Sequence, residues 1–145
     1  MSGQASRKPF PPAVMDEVLE RHFSAEAAHD LPGTLETLTD DCEHDIVGWP
    51  SGPVRGHAAI RPFYERLFQD LKAEKVTPLR RYHGDDFLID EVLYEATATG
   101  TPFGLPGRNR RVSFRLLHIC EFDDGRMSRE NVWMDFAAVV QQLGG

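Results

Sequence analysis

The apolar pattern of this sequence changes its period near residue 72, and this change constrains the fold more than any other feature. Before it, residues 57–72 place Ile60, Tyr64 and Leu67 three or four positions apart, which predicts a helix with one buried face. After it, extended segments are separated by Gly- or Asp-rich turns at residues 76–82, 87–99, 111–122 and 127–133. Helices followed by strands in meander order predict an α+β domain whose helices cover one sheet face.

The first half of the chain supplies another helix and another strand. Residues 13–29 carry apolar side chains at helical spacing, with His22 within that face, and Asp30-Leu-Pro-Gly ends the helix. The remaining predicted elements are a short helical piece at 34–38, a strand at 43–49 and a closing helix at 136–143.

Composition bounds the size and the partners of this domain. The chain has 145 residues, of which 41% are hydrophobic, enough for one core, so we predict one domain over 13–145 after a flexible tail at 1–12. The formal charge of -7 argues against nucleic acid and against anionic membranes as partners. Cys42 and Cys120, with no secretory leader before them, predict buried thiols and a cytoplasmic protein.

Two stretches carry a resemblance to a known family. They are LTDDCEHDIVGWPSGPVRGHAAIRPFYERLF and LLHICEFDDGRMSRENVWMD. With these two stretches, the sequence resembles the ketosteroid isomerase and SnoaL-like polyketide cyclase branch of the nuclear transport factor 2-like superfamily. The resemblance covers about residues 13–143. The resemblance implies a cystatin-like cone, in which a strongly bent sheet wraps around N-terminal helices and encloses an apolar pocket. It also implies a homodimer through the outer sheet face.

The resemblance places candidate catalytic residues by position. His22 falls where ketosteroid isomerases hold a tyrosine donor, and His118 falls where they hold a protonated aspartic acid and where SnoaL-like cyclases have a histidine. The general-base position falls on Ile46, with Asp45 beside it. A catalytic aspartate on the last strand of the cyclases implies Asp135 here.

Strand alternation supports a pocket wall on the penultimate strand. Its predicted inward face consists of Val112, Phe114, Leu116, His118 and Cys120. On the last strand, Asn131, Trp133 and Asp135 share one face, and we place that face in the pocket. An aspartate beside an indole in an apolar cavity is a stronger base, because burial disfavours its charged form. Asp135 and His118 are therefore the predicted acid–base pair.

Each of these residues also has a structural interpretation. His118 and His22 can be core histidines bonded to backbone carbonyls, and Asp135 can cap the closing helix. His44 and Asp45 are neighbours that point to opposite faces, so only one of them belongs to the pocket, and the sequence leaves open which. The candidate substrate contacts are Trp133, Trp49, Tyr64, Phe114, Leu116 and Asn131.

The predicted function is a cofactor-free acid–base enzyme, an isomerase or a cyclase, that abstracts a proton beside a carbonyl of a hydrophobic small molecule. No metal-binding motif is present, so no metal is expected. One alternative is an epoxide or lactone hydrolase that uses Asp135. The Arg-X-Asp unit of limonene-epoxide hydrolases is missing, since Leu116 and Leu117 follow Arg115. The other alternative is a ligand-binding or scaffold domain without catalysis.

Overall fold

The structure is a computed structural model that describes residues 10–144. Its elements in chain order are α1 (Pro12–Ala27), α2 (Leu31–Glu36), β1 (Leu38–Ile46), β2 (Val54–Arg55), α3 (His57–Asp70), β3 (Lys72–His83), β4 (Phe87–Ala98), a 3-10 turn (Pro102–Gly104), β5 (Arg110–Asp123), β6 (Arg126–Met134) and α4 (Phe136–Leu143). Helices followed by a meander confirm the α+β prediction.

The six strands form one mixed sheet in the order β2-β1-β6-β5-β4-β3. Neighbouring strands are antiparallel except for β1 and β6, which run parallel, with His44 opposite Glu130. This contact joins segments more than eighty residues apart, so no local pattern indicates it. It brings a histidine and a glutamate onto the inner face of the sheet.

The core consists of two groups of buried side chains on that inner face. The first packs α1, α2 and α3 on the sheet and includes Met15, Leu19, Leu38, Tyr64 and Phe122. The second lies under α4 and consists of Leu71, Ala96, Ala98, Val112, Phe114, Val139 and Leu143. At the usual ~25 cal/mol per Å² of buried apolar area, such side chains each contribute about 1.5–3 kcal/mol. The cavity described below takes wall residues from the second group and from the residues packed against the first.

Several sequence-based boundaries change. The short helix spans Leu31–Glu36 rather than 34–38, and the first strand ends at Ile46 rather than at residue 49. The first strand begins at Leu38 rather than at residue 43, because the peptide before it is already tied to β6 by a hydrogen bond from Met127 N–H to the Thr37 carbonyl, 2.9 Å. Residues 1–9 of the predicted tail lie outside the described residues. Phe10 is anchored, since its N–H donates to Asp85 O at 2.7 Å and its ring stacks on Phe122 at 5.4 Å. The third strand begins at Lys72.

Two further expectations can be compared with the structure. Cys42 and Cys120 are buried thiols that are not joined by a disulfide, as predicted. No helix in the part of the chain that the structure describes combines the length and the apolarity needed to span a membrane.

Candidate active site

A cavity of about 110 Å³ lies between the inner sheet face and helices α1 and α3. Most of its wall is aromatic or aliphatic, and His118, Phe114, Leu116 and Trp49 belong to it. Apart from the Tyr94 hydroxyl and the Trp49 indole, its polar or charged wall residues are Glu26, His29, Arg66, Asp70, His118 and Glu130. Few, convergent polar groups in a mostly apolar hollow are typical of a small-molecule site.

Glu130 is the centre of the polar part of this wall. It projects inward from β6 and is 2% exposed. The Tyr64 hydroxyl donates to Glu130 Oε2 at 3.0 Å, and His22 Nε2 lies 3.3 Å from the same oxygen. His44 Nε2 lies 3.8 Å from Oε2, and His118 Nε2 lies 3.9 Å from Oε1. One buried carboxylate therefore meets three imidazoles and a phenol.

The strand registers bring these groups together. Glu130 is opposite His44 on β1, and on its other side β5 pairs His118 with Val132, two residues along from Glu130. Side chains at register or diagonal positions on one sheet face lie within reach of each other. His22 comes from the buried face of α1, and Tyr64 comes from the buried face of α3.

The hydrogen bonds of His22 fix its protonation. The Thr37 hydroxyl donates to Thr34 O at 2.7 Å, so its oxygen is left to accept from His22 Nδ1 at 2.7 Å. Nδ1 therefore carries a proton. The other nitrogen, Nε2, lies 3.3 Å from carboxylate oxygens of both Glu26 and Glu130. Two carboxylates at one ring nitrogen favour a doubly protonated, positively charged imidazole.

These contacts shift the pKa values of the two carboxylates in opposite directions. Burial opposes a charge on His22, but the Glu130 and Glu26 carboxylates outweigh it and raise the pKa of His22 to about 9. Burial also acts to raise the pKa of Glu130, but the charge of His22 outweighs it and holds that pKa well below its usual range. Burial raises the pKa of Glu26 to about 7, against the opposing charge of His22.

The other ionisable groups around Glu130 stay uncharged at neutral pH. Burial lowers the pKa of His44 and of His118, although Glu130 opposes this shift in both. Burial raises the pKa of Tyr64 well above its usual value, so its hydroxyl keeps its proton. The site therefore combines an ionised Glu130, a charged His22 and two neutral imidazoles, of which His118 is in the cavity wall.

Of His44 and Asp45, the structure turns His44 to the inner face, although His44 is not among the residues of the cavity wall. His44 is 2% exposed and points inward, where its ring also packs on Phe63 at 4.9 Å. Asp45 points to the outer face, where its carboxylate accepts from Asn131 Nδ2 at 3.3 Å. His22 and Tyr64 lie behind the cavity wall in contact with Glu130 rather than in the wall itself.

The predicted inward face of the last strand is wrong. Asp135 is exposed and caps α4, accepting from Ala138 N–H at 3.2 Å. Trp133 is 50% exposed, and its indole N–H donates to Asn131 Oδ1 at 2.8 Å on the outer face. The inward residues are Glu130, Val132 and Met134. The Asp135–His118 pair therefore does not form, and the hydrolase alternative loses its carboxylate as well.

A β-bulge explains this error. Next to the Asp124-Gly125 turn, Phe122 pairs with Met127, but beyond it Glu121 pairs with Arg129, so Ser128 is an extra residue on β6. One extra residue moves every following side chain to the opposite face. Sequence reasoning missed Glu130 because of this bulge, and it missed Glu26 on α1 because glutamates usually lie on the surface. If the strand register had been worked out for a hairpin with a one-residue bulge as well as for a regular hairpin, Glu130 would have been placed on the inner face.

Among residues 10–144, no three His, Cys, Asp or Glu side chains are grouped closely enough to hold a metal ion.

The bent sheet, the covering helices and the inner cavity define a cone of the nuclear transport factor 2-like type. A family model described as "SnoaL-like domain" matches residues 19–130, and the chain belongs to this family. No curated protein matches the chain.

Solved structures show the same fold at low sequence identity. A candidate SnoaL-like polyketide cyclase from Jannaschia sp. CCS1 superposes with a TM-score of 0.81 at 17% identity, covering 95% of this chain and 98% of that one. TsrD from Streptomyces laurentii gives a TM-score of 0.79 at 20% identity, with 93% and 98% covered. A candidate isomerase from Rhodopseudomonas palustris gives 0.75 at 22% identity, with 88% and 97% covered.

Proposed function

We propose that this protein is a cofactor-free acid–base enzyme, an isomerase or a cyclase, that acts on a hydrophobic small molecule in the inner cavity. One observation carries this proposal: the Glu130 carboxylate, 2% exposed, is in the wall of an apolar cavity among His22, His44, His118 and Tyr64. A buried ionised group is costly unless its neighbours stabilise it, and such arrangements concentrate at functional sites. Membership of the SnoaL-like family supports the same class.

The proposed reaction begins with removal of a proton from a carbon beside a carbonyl. His118 Nε2 takes this proton, because the ring is neutral and lies in the cavity wall. Glu130, 3.9 Å from Nε2, then stabilises the imidazolium. The electron pair of the C–H bond moves to the carbonyl oxygen as an enolate. Return of the proton to another carbon isomerises the substrate. Attack of the enolate carbon on a second carbonyl closes a ring instead, and the alkoxide oxygen formed takes the proton from His118.

Glu26 is the proposed donor to the carbonyl oxygen. It lines the same cavity, and its raised pKa of about 7 keeps close to half of it protonated at neutral pH. Two carboxyl groups whose pKa values are pushed apart can take different roles in one reaction. Here Glu130 stays ionised, while Glu26 donates a hydrogen bond to the enolate oxygen and keeps its proton when the carbonyl re-forms.

Proton abstraction can be tested before the substrate is identified. 2-Indanone, a small apolar ketone with exchangeable protons beside its carbonyl, is incubated with the protein in D2O, and loss of the methylene signal is followed by NMR. We expect exchange that is faster than in buffer and saturates with ketone concentration. Exchange at the buffer rate would overturn the proposal.

The cavity itself is tested by filling it. Leu116 is in the cavity wall, and its neighbour Leu117 is on the opposite face of β5. We expect Leu116→Trp to weaken binding of 2-indanone at least tenfold, measured by NMR titration, because the larger ring occupies the ligand's space. Leu117→Trp is the matched control and is expected to bind as the wild type does. Equal binding by both variants would place the ligand elsewhere.

We also propose that the protein forms a homodimer through the outer sheet face. Leu117, Ile119 and the half-exposed Trp133 lie together on this face, and a second copy would remove their apolar surface from water. Ile119→Glu is expected to give a monomer in light scattering. Val140→Glu, a substitution of an exposed residue on α4, is expected to leave the mass unchanged. A wild-type protein with the monomer mass would contradict this proposal.

A further inference from the structure

Asp90 is a second buried carboxylate, and the reaction above makes no use of it. It is 1% exposed and projects from β4 to the inner face of the sheet. In the antiparallel pairing of β4 with β5, its register partner is His118. Side chains of such partners that share a face have Cβ atoms about 5 Å apart. The carboxylate of Asp90 therefore lies beside the imidazole of His118.

Two buried polar atoms of this pair have no hydrogen-bond partner among the described residues. They are Asp90 Oδ2 and His118 Nδ1. Asp90 Oδ1 is engaged, because it accepts from Arg81 Nε at 2.8 Å. Leaving a buried polar group unsatisfied costs about 1–3 kcal/mol, and such groups are rare in folded proteins. An imidazole N–H is a donor and a carboxylate oxygen is an acceptor, so one water molecule between these two atoms would satisfy both.

We infer that Asp90 is a positioning residue for His118: its Oδ2 is linked to His118 Nδ1–H across one bridging water, which accepts from the imidazole and donates to the carboxylate. This bond places the ring proton on Nδ1. The lone pair of Nε2, which lies 3.9 Å from Glu130 Oε1, is then available to accept a proton in the cavity. The inference rests on the proposed function in one respect, since it assumes that His118 is the proton acceptor.

The surroundings of Asp90 hold it in place for this role. Arg81 on β3, which binds Asp90, is itself held by Asp16 on α1, with Arg81 Nη1 donating to Asp16 Oδ1 at 3.1 Å. A carboxylate anchored on one oxygen presents the other in a fixed direction. In other acid–base sites, a carboxylate at one ring nitrogen orients a catalytic histidine. Asp90 orients the imidazole of His118 in the same way.

An ionised Asp90 also stabilises the protonated form of His118. The charged and titratable groups around this ring are Glu130 on β6, Asp90 on β4, His22 on α1 and His44 on β1. Burial and the two histidines lower the pKa of His118, while Glu130 and Asp90 raise it. Without the charge of Asp90, only Glu130 opposes the effects that lower the pKa of His118, so this pKa falls further.

Side-chain ¹⁵N NMR of the histidines tests this inference without a substrate. The His118 signals are assigned with His118→Gln. In the wild type we expect the neutral ring to carry its proton on Nδ1. In Asp90→Asn we expect the pKa of His118 to fall by about one pH unit. Glu91→Gln is the matched control: Glu91 is the next residue on β4 and lies on the outer sheet face, where it binds Arg115, so the pKa of His118 is expected to stay unchanged.

The outcomes separate this inference from the proposed function. A neutral His118 with its proton on Nε2 would overturn the role of Asp90, and this wild-type measurement decides the matter even where Asp90→Asn fails to fold. An unchanged pKa of His118 in a folded Asp90→Asn protein would overturn it too. A proton on Nδ1 with no exchange of 2-indanone would instead overturn the proposed function and leave the positioning of His118 intact.

Discussion

Replacing Glu130 with Gln is expected to slow deuterium exchange into 2-indanone about 10²- to 10³-fold, the range typical of losing one group that stabilises a charge formed in the transition state. Glutamine has nearly the size of glutamate and keeps an oxygen that accepts from the Tyr64 hydroxyl. It has no charge, so it no longer stabilises the imidazolium that forms at His118. The loss is therefore expected in kcat, with a smaller change in KM for the ketone.

Asp135→Asn is the matched control for this experiment. Asp135 is the carboxylate that strand alternation predicts as the base, but it is exposed and caps α4. Asparagine is also a good helix cap, so this variant is expected to fold and to exchange the ketone at the wild-type rate. Loss of exchange in Asp135→Asn together with wild-type exchange in Glu130→Gln would reverse the assignment.

The free energy of unfolding is expected to fall by about 3 kcal/mol between pH 6.5 and pH 9, because of His22 alone. Its pKa is raised from 6.5 to about 9 in the folded protein, so the folded state holds a proton that the unfolded state has released. The stabilisation from His22 is complete below pH 6.5 and is lost as the pH rises through 9. The raised pKa of Glu26 adds a further decrease in the free energy of unfolding with rising pH, mostly below pH 6.5.

Urea unfolding at several pH values measures this slope. His22→Gln is expected to unfold at lower urea and to remove most of the decrease between pH 6.5 and pH 9. Its overall loss of stability follows from leaving Glu130 buried without its charged partner, a change that costs about 3–5 kcal/mol in other proteins. His29→Gln, at an exposed histidine, is expected to keep the wild-type slope. A wild-type stability that is constant from pH 6.5 to 9 would contradict a charged His22.

The parts of the fold that depend on local periodicity could be predicted from the sequence. The apolar residues of α3 repeat at helical spacing, and Ile60 and Tyr64 are indeed fully buried. The alternation of β5 correctly placed Phe114, Leu116 and His118 in the cavity wall. In each case, burial of one face follows from a repeat within a single element.

The rest of the site depends on relations between distant elements. Ser128 shifts the register of β6 by one residue. As a result, Glu130 is in the cavity wall, and Trp133 and Asp135 are not. The parallel pairing of β1 with β6 places His44 opposite Glu130, although 86 positions separate them in the sequence. Neither the bulge nor the parallel contact leaves a periodic signal in the chain.

A crystal structure of the protein with bound 2-indanone tests the central claim most directly. The account predicts the ketone in the inner cavity, with a carbon beside its carbonyl facing His118 Nε2 and with Glu130 next to that nitrogen. A ketone bound on the outer sheet face against Trp133 or Asp135, with the inner cavity vacant, would contradict it.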